Sequence, residues 1–97
     1  MFRKIEAARA LTHRVVHYNL SAHSYCLHAA MTSKVTGTQT AFEVASDALQ
    51  IFGGNGLTLE YPMEKLLRDA RASLIEDGCN EILAIKGGYH LIDRDRI

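Results

Sequence analysis

The amino-acid sequence predicts an all-α protein, folded as an antiparallel bundle of four helices. Apolar residues recur three and four positions apart in four stretches, which is the period of an α-helix. Turn signals bound no alternating apolar and polar run longer than about four residues, so strands are not expected. With 97 residues the chain makes one domain, and surface scaling predicts that folding buries about 65% of the unfolded surface.

The first two helices are predicted at residues 2–20 and 24–52. The polar residues at 19–24 hydrogen-bond readily to their own backbone, which places the first turn between the helices. Gly37 interrupts the second helix at a cost of about 1 kcal/mol relative to alanine. We therefore expect Gly37 to lie at a close helix crossing. The first helix has one apolar stripe, formed by Ile5, Ala8, Leu11, Val15 and Tyr18.

The third and fourth helices are predicted at 62–71 and 79–92. Glycines at 53, 54 and 56 end the second helix, because glycine adopts a left-handed conformation at a helix C-terminus without a Cβ clash. Pro62 suits the first position of the third helix, where its missing N–H is not needed. The short connections favour antiparallel neighbours.

The charge balance excludes several classes of partner. Eleven Lys and Arg residues match eleven Asp and Glu residues, so the chain lacks the positive field that favours nucleic acids or anionic lipid surfaces. No apolar run approaches the ~18 residues of a membrane span, and the charged N-terminus is unlike a signal peptide. We expect a cytoplasmic protein, or one of the mitochondrial matrix in a eukaryote. Cys26 and Cys79 are expected to be reduced thiols.

Two further patterns are weak indications of chemistry. His13 and His17 lie one helical turn apart and could share a metal, but no HExxH pattern or third acidic ligand accompanies them. We predict a solvated face there and no metal site; His23, His28 and His90 are scattered. The sequence GNGLTL at 54–59 begins like a dinucleotide fingerprint, yet it follows a helix and lacks the third glycine, which favours a structural cap.

The residues alone support two hypotheses for the role of Asp77. An aspartate before a glycine and a new apolar helix is usually an N-cap. The N–H groups of Gly78, Cys79 and Asn80 at the same helix start could hold an anion or the polar edge of a cofactor. A carboxylate beside such a site can serve as a general base.

Three motifs together strongly resemble the C-terminal domain of acyl-CoA dehydrogenases. They are QIFGGNG at 50–56, EYPMEKLLRDAR at 60–71 and DGCNEI at 77–82, and both their order and their gaps match that family. Ala7-Ala8-Arg9, Lys34 and Gly37 agree more loosely. The resemblance covers nearly the whole chain.

The resemblance implies a flavoenzyme that removes a proton from the carbon next to an acyl-CoA thioester and passes a hydride from the adjacent carbon to FAD. The electrons then leave to a separate acceptor protein. Asp77 aligns with the family's glutamate base, and Gly78 is expected to contact the acyl thioester. The positions expected to contact FAD are Cys79, Asn80 and Glu81 in one subunit and, across a homo-oligomer interface, Gln50, Ile51, Phe52, Gly53 and Gly54 of its neighbour.

This sequence departs from the family pattern in three ways. The base is an aspartate, Glu76 replaces the usual tyrosine, and Cys79 replaces the usual threonine. Residues 1–97 also resemble only the last helical domain, without the N-terminal helical and middle β domains. We therefore expect a fragment that is inactive alone. The alternative is a helical assembly module without chemistry, in which Asp77 is an N-cap and the glycine loop only ends a helix.

Overall fold

The computed structural model describes residues 1–21 and 24–92 of the chain. Helix α1 spans Phe2–Ser21, α2 spans Leu27–Phe52, α3 spans Met63–Ser73 and α4 spans Asn80–Ile92, with a short 3₁₀ turn at Gly53–Leu57 after α2. The described residues form no strand. The all-α class and all four predicted helices are confirmed, with bounds that differ by at most three residues.

Helix α2 is the axis of the fold. Each of the other helices packs against α2, and among the described residues no two of them pack against each other. On the α1 side, Lys4 contacts Glu43 and Thr12 contacts Ser33, so α1 runs antiparallel to α2. The 26 residues of α2 span about 39 Å, close to the summed lengths of α3 and α4, which lie one after the other along it.

One surface ion pair fastens the start of α1 to the middle of α2. Lys4 Nζ lies 3.0 Å from a carboxylate oxygen of Glu43, and Gln39 Nε2 donates to the other oxygen at 3.1 Å. The hydrogen bond from Gln39 and then the contact with Lys4 hold the pKa of Glu43 below its usual range. A depressed carboxyl pKa stabilises the fold above the unfolded pKa, and this contribution is lost as the pH falls through the folded value.

The described helices bury less surface than the chain length predicts. The accessible surface is 7185 Å², whereas a folded monomer of this mass exposes about 5500 Å². Only about 54% of the unfolded surface is therefore buried, and the expected 65% is wrong. The reason is geometric, because three helices packed on one axis leave their outer apolar faces uncovered. Only three apolar side chains in the described part are buried: Ala8, Val15 and Met63.

Large apolar side chains lie on the surface along the whole molecule. The most exposed include Leu59 at 89%, Leu20 at 82% and Ile51 at 74%. So many exposed large apolar side chains are typical of a surface that is covered by other polypeptide. None of the helices in the described ranges combines the length and apolarity needed to cross a membrane.

The prediction that Gly37 lies at a close helix crossing is wrong. A Cβ atom at Gly37 would have no atom within 4 Å beyond its own helix. Gly37 instead lines an open, largely apolar groove of about 490 Å³ between α1 and α2, beside Lys34 and Thr38. The absence of a side chain widens this groove and does not bring two helices together.

The glycine turn after α2 behaves as its sequence predicts. Gly53 ends the helix with a φ of 62°, in the region that favours glycine. Gly56 is buried, and a Cβ there would lie 3.0 Å from the backbone oxygen of Leu49. The rings of Phe52 and Tyr61 pack edge to face with centroids 5.5 Å apart, which closes the segment that leads to α3.

We predict that Gly56→Ala destabilises the chain while Gly54→Ala does not. The added methyl group at Gly56 meets the Leu49 backbone, which should lower the free energy of unfolding by about 1–3 kcal/mol. Gly54 has open space, so its variant should stay within about 0.5 kcal/mol of the parent. Urea unfolding followed by circular dichroism measures both values. Equal stability of the two variants would contradict the packing at Gly56.

Candidate functional site

The loop between α3 and α4 is a tight turn tied to itself. The backbone N–H groups of Ile75 and Glu76 both donate to the carbonyl of Ala72, continuing the last turn of α3. The N–H of Asn80 returns to the carbonyl of Leu74 at 3.0 Å. These bonds close residues 74–80 into a compact loop, and they use the Asn80 N–H that was expected to face a ligand.

Asp77 lies at the exposed tip of this loop in an unusual backbone conformation. Its φ is 55°, and it is the only residue other than glycine with a positive φ in the described part of the chain. Gly78 follows with a φ of 86°, and a Cβ there would lie 3.1 Å from a methyl group of Leu83. Two successive left-handed residues reverse the chain and leave the Asp77 carboxylate on the surface.

The prediction that Asp77 is an N-cap is wrong. Helix α4 begins at Asn80, and the N–H of Leu83 donates to the carbonyl of Cys79. Cys79 therefore occupies the capping position, two residues after Asp77. The left-handed pair at 77–78 lengthens the loop, so the carboxylate lies outside the helix start.

A polar cluster fastens the loop to α2. The Lys34 ammonium donates to the carbonyl of Gly78 at 3.0 Å and to Asn80 Oδ1 at 2.8 Å. The Asn80 amide donates in turn to Thr38 Oγ1 at 2.9 Å. Asn80 is only 8% exposed, and hydrogen bonds to a charged donor contribute about 1.5–3 kcal/mol each. The clamp therefore fixes the Gly78–Cys79 peptide, which lies one peptide beyond the one that joins Asp77 to Gly78.

The structure places the other predicted site residues of this segment around the clamp. Gly78 and Glu81 are exposed, and Cys79 is half-buried. The side chain of Asn80 faces α2 and not the surface. It joins the loop to α2, a structural role that the DGCNEI motif did not indicate. The sequence analysis named Lys34 only as a residue that matches the family pattern, and it did not predict any role for Thr38. One signal was available, since polar residues four apart in a helix share a face.

The segment Gln50, Ile51, Phe52, Gly53 and Gly54 lies at the other end of α2. All five residues are exposed. Sixteen residues of α2 separate Gln50 from Lys34, which corresponds to about 24 Å of helix. The structure therefore does not bring the two predicted segments together within one chain.

The backbone of this second segment is open at the surface. The backbone at Gly53 and Gly54 is exposed, and a Cβ at either position would meet no atom within 4 Å. Missing side chains at a helix end allow another molecule to approach the backbone closely. Gly53 and Gly54 are therefore accessible to another molecule.

The histidines among the described residues were a second candidate site. His13 and His17 are both exposed. Within residues 1–21 and 24–92, no group of three or more His, Cys, Asp or Glu side chains is arranged to hold a metal ion. His23 lies outside the described residues, and His28 contacts Cys26.

A family model and individual relatives both match this chain, and both are acyl-CoA dehydrogenases. The family model of the acyl-CoA dehydrogenase C-terminal domain matches residues 1–90. A short-chain-specific acyl-CoA dehydrogenase of Megasphaera elsdenii is 36% identical over 89 residues, which cover 91% of this chain and 23% of that protein. The cyclohexane-1-carbonyl-CoA dehydrogenase of Geobacter metallireducens is 38% identical over 80 residues, with 81% and 20% covered.

The backbone of this chain is also similar to part of a solved structure. It is described as the electron transferring flavoprotein of Acidaminococcus fermentans, and one of its chains matches with a TM-score of 0.86 and 36% identity, over 94% of this chain and 24% of that one. The chain spans less than a quarter of the length of these curated relatives. With its motifs, its helices and the match over residues 1–90, the chain belongs to the acyl-CoA dehydrogenase family and corresponds to its C-terminal domain.

Proposed function

We propose that this chain is the C-terminal part of an FAD-dependent acyl-CoA dehydrogenase in which Asp77 is the catalytic base. The observation that carries this proposal is the clamped loop, where the exposed Asp77 has a φ of 55° and the next carbonyl is held by Lys34. Left-handed backbone outside glycine occurs mainly where the surrounding structure enforces it, often at active sites. The enzyme names of the relatives agree with this chemistry.

In the proposed reaction, the Asp77 carboxylate takes the proton from the carbon next to the thioester carbonyl. Gly78 offers no side chain, so the thioester can approach the backbone beside the base. FAD, when bound, accepts the hydride from the adjacent carbon. An aspartate reaches about one C–C bond less far than a glutamate, and proton abstraction is sensitive to such offsets. The clamp on Gly78 therefore matters for positioning the shorter carboxylate.

The proposed enzyme is a homo-oligomer with FAD sites shared between subunits. About 24 Å of helix separates Gln50 from Lys34, the residue that holds the Asp77 loop, and this separation favours contact of each segment with a different FAD. In this arrangement, Cys79 and Glu81 lie near the flavin nucleotide of their own subunit, Asn80 supports them from its buried position against α2, and residues 50–54 contact the FAD of the neighbour. The exposed apolar faces supply surface for assembly. Electrons pass on to a separate acceptor protein, and the chain alone is inactive.

The alternative of an assembly module without chemistry has lost one support. It explained Asp77 as an N-cap, whereas the capping position belongs to Cys79. The left-handed conformation of Asp77 reverses the chain and is compatible with either hypothesis, so the chimera experiment has to decide between them.

The role of Asp77 can be tested in a chimera. We would replace the matching C-terminal segment of the Megasphaera elsdenii relative with this chain and follow bleaching of the flavin by a short-chain acyl-CoA. Asp77→Asn should abolish bleaching while FAD stays bound, because asparagine accepts no proton there. Asparagine also tolerates a left-handed backbone, so the loop should keep its shape.

Glu76→Gln is the matched control for this test. Glu76 is the neighbouring exposed carboxylate, and its variant should bleach at the parental rate. Normal bleaching in the Asp77→Asn chimera would show that Asp77 is not the base.

The shared FAD site predicts complementation between two inactive chimeras. Gly54→Val fills space that is open in this chain, so the variant should fold normally yet lose FAD in the neighbouring subunit. Co-expression with the Asp77→Asn chimera forms mixed oligomers that pair an intact Asp77 with an intact loop from the other subunit. Activity should return only in these mixed oligomers, as measured after tandem affinity purification with two tags. If purified mixed oligomers remain inactive, residues 50–54 do not serve the neighbouring FAD site.

A further inference from the structure

A cysteine and a histidine form a close pair at the start of α2, away from the Asp77 loop. Cys26 immediately precedes α2, and Asn19 Oδ1 accepts its backbone N–H at 2.9 Å. The Cys26 sulfur lies 3.3 Å from Nε2 of His28 and 3.7 Å from Nδ1. In the tautomer with an unprotonated Nε2, the thiol donates its hydrogen to the ring. An imidazole at this distance can accept the thiol proton during nucleophilic attack.

The pair opens into a cavity of about 330 Å³. Cys26 and His28 are both half-buried, so the sulfur is held in place while a small molecule can still reach it. The titratable groups that share the cavities around Cys26 are Arg14 and Tyr18 from α1, Tyr25 from the connecting segment and His90 from α4. Among the described residues that line these two cavities, none carries a carboxylate.

We propose that Cys26 and His28 form a thiol-modification site at which a small-molecule disulfide S-thiolates Cys26. The Cys26 sulfur attacks one sulfur of the disulfide, so a new S–S bond forms and the original S–S bond breaks. His28 takes the Cys26 proton and passes it to the departing thiolate, which leaves as a thiol. Cys26 is oxidised, the released half of the disulfide is reduced, and a reducing thiol reverses the reaction.

The second cysteine provides an internal comparison. Cys79 is also half-buried, but in the described part of the chain no hydrogen bond joins its sulfur to a side chain. Each cysteine immediately precedes a helix, Cys26 before α2 and Cys79 before α4, so the positive end of a helix dipole lies beside both sulfurs and the contact with His28 is what distinguishes Cys26. Cys26 lies eight residues, or about 12 Å of helix, before Lys34. The proposed modification therefore concerns a site separate from the loop that carries Asp77.

The test is the rate of mixed-disulfide formation with glutathione disulfide, measured on the full chain by peptide mass spectrometry. The ratio of the Cys26 rate to the Cys79 rate is compared with the same ratio in 8 M urea, where only intrinsic reactivity remains. Because general-base assistance contributes about a hundredfold or more, we expect the folded ratio to exceed the unfolded ratio by at least about tenfold. Equal ratios in the two conditions would overturn the proposal.

Two histidine variants separate assistance from accessibility. His28→Asn should lower the Cys26 rate about tenfold or more, whereas His13→Asn, which removes an exposed imidazole on α1, should leave it unchanged. His28→Gln repeats the test with a longer amide in case the first variant unfolds, which a rise of the Cys79 rate to its urea value would reveal. If Cys26 in a folded His28 variant forms the mixed disulfide at the parental rate, the proposal is overturned.

Discussion

The ammonium group of Lys34 is the contact on which the candidate site depends. It donates both to the carbonyl of Gly78 and to the side chain of Asn80, so one charge on α2 holds the loop before α4 and the first residue of α4. The amide of Asn80 passes the connection on to Thr38. Removal of the ammonium would take the donor from the carbonyl of Gly78 and would leave Asn80 Oδ1, on a buried residue, with only the longer contact from the Thr38 hydroxyl at 3.3 Å. The clamp thus holds the Gly78–Cys79 peptide, directly after the left-handed pair Asp77 and Gly78.

The central position of α2 explains why the two candidate site segments lie far apart and why the chain buries few apolar side chains. Its length carries the Asp77 loop at one point and the glycine turn about 24 Å further on, so each end can serve a different partner. The same geometry leaves a radius of gyration of 16.0 Å, against about 13 Å for a compact domain of this length. Helices spread along an axis present apolar faces instead of burying them, which suits a domain completed by other polypeptide.

The sequence predicted the four helices and the glycine at the end of α2 because these depend on periodicity and on local backbone chemistry. It did not predict the polar clamp, since Lys34 and Asn80 are 46 residues apart and meet only through the register of α2 against α4. The predictions of a helix crossing at Gly37 and of an N-cap at Asp77 were wrong because both depend on tertiary or loop geometry that a single residue type does not reveal. A glycine in a helix does not reveal whether a neighbour approaches, and a residue before Gly78 does not reveal that the loop continues for two more positions. The roles of Asp77 and of residues 50–54 came from the resemblance to the family, because exposed residues carry no packing signal.

Native-state hydrogen exchange after removal of the Lys34 charge tests most directly whether this ammonium holds the Asp77 loop. The reporting amides are those of Asn80 and Leu83, which bond to Leu74 and Cys79. The account predicts that Lys34→Met speeds their exchange about tenfold or more, as expected for the loss of a charge-assisted hydrogen bond. The matched variant Lys65→Met, which breaks only the exposed ion pair with Asp69 on α3, should change their exchange less than about threefold. Equal exchange at Asn80 and Leu83 in both variants would contradict the central role of Lys34.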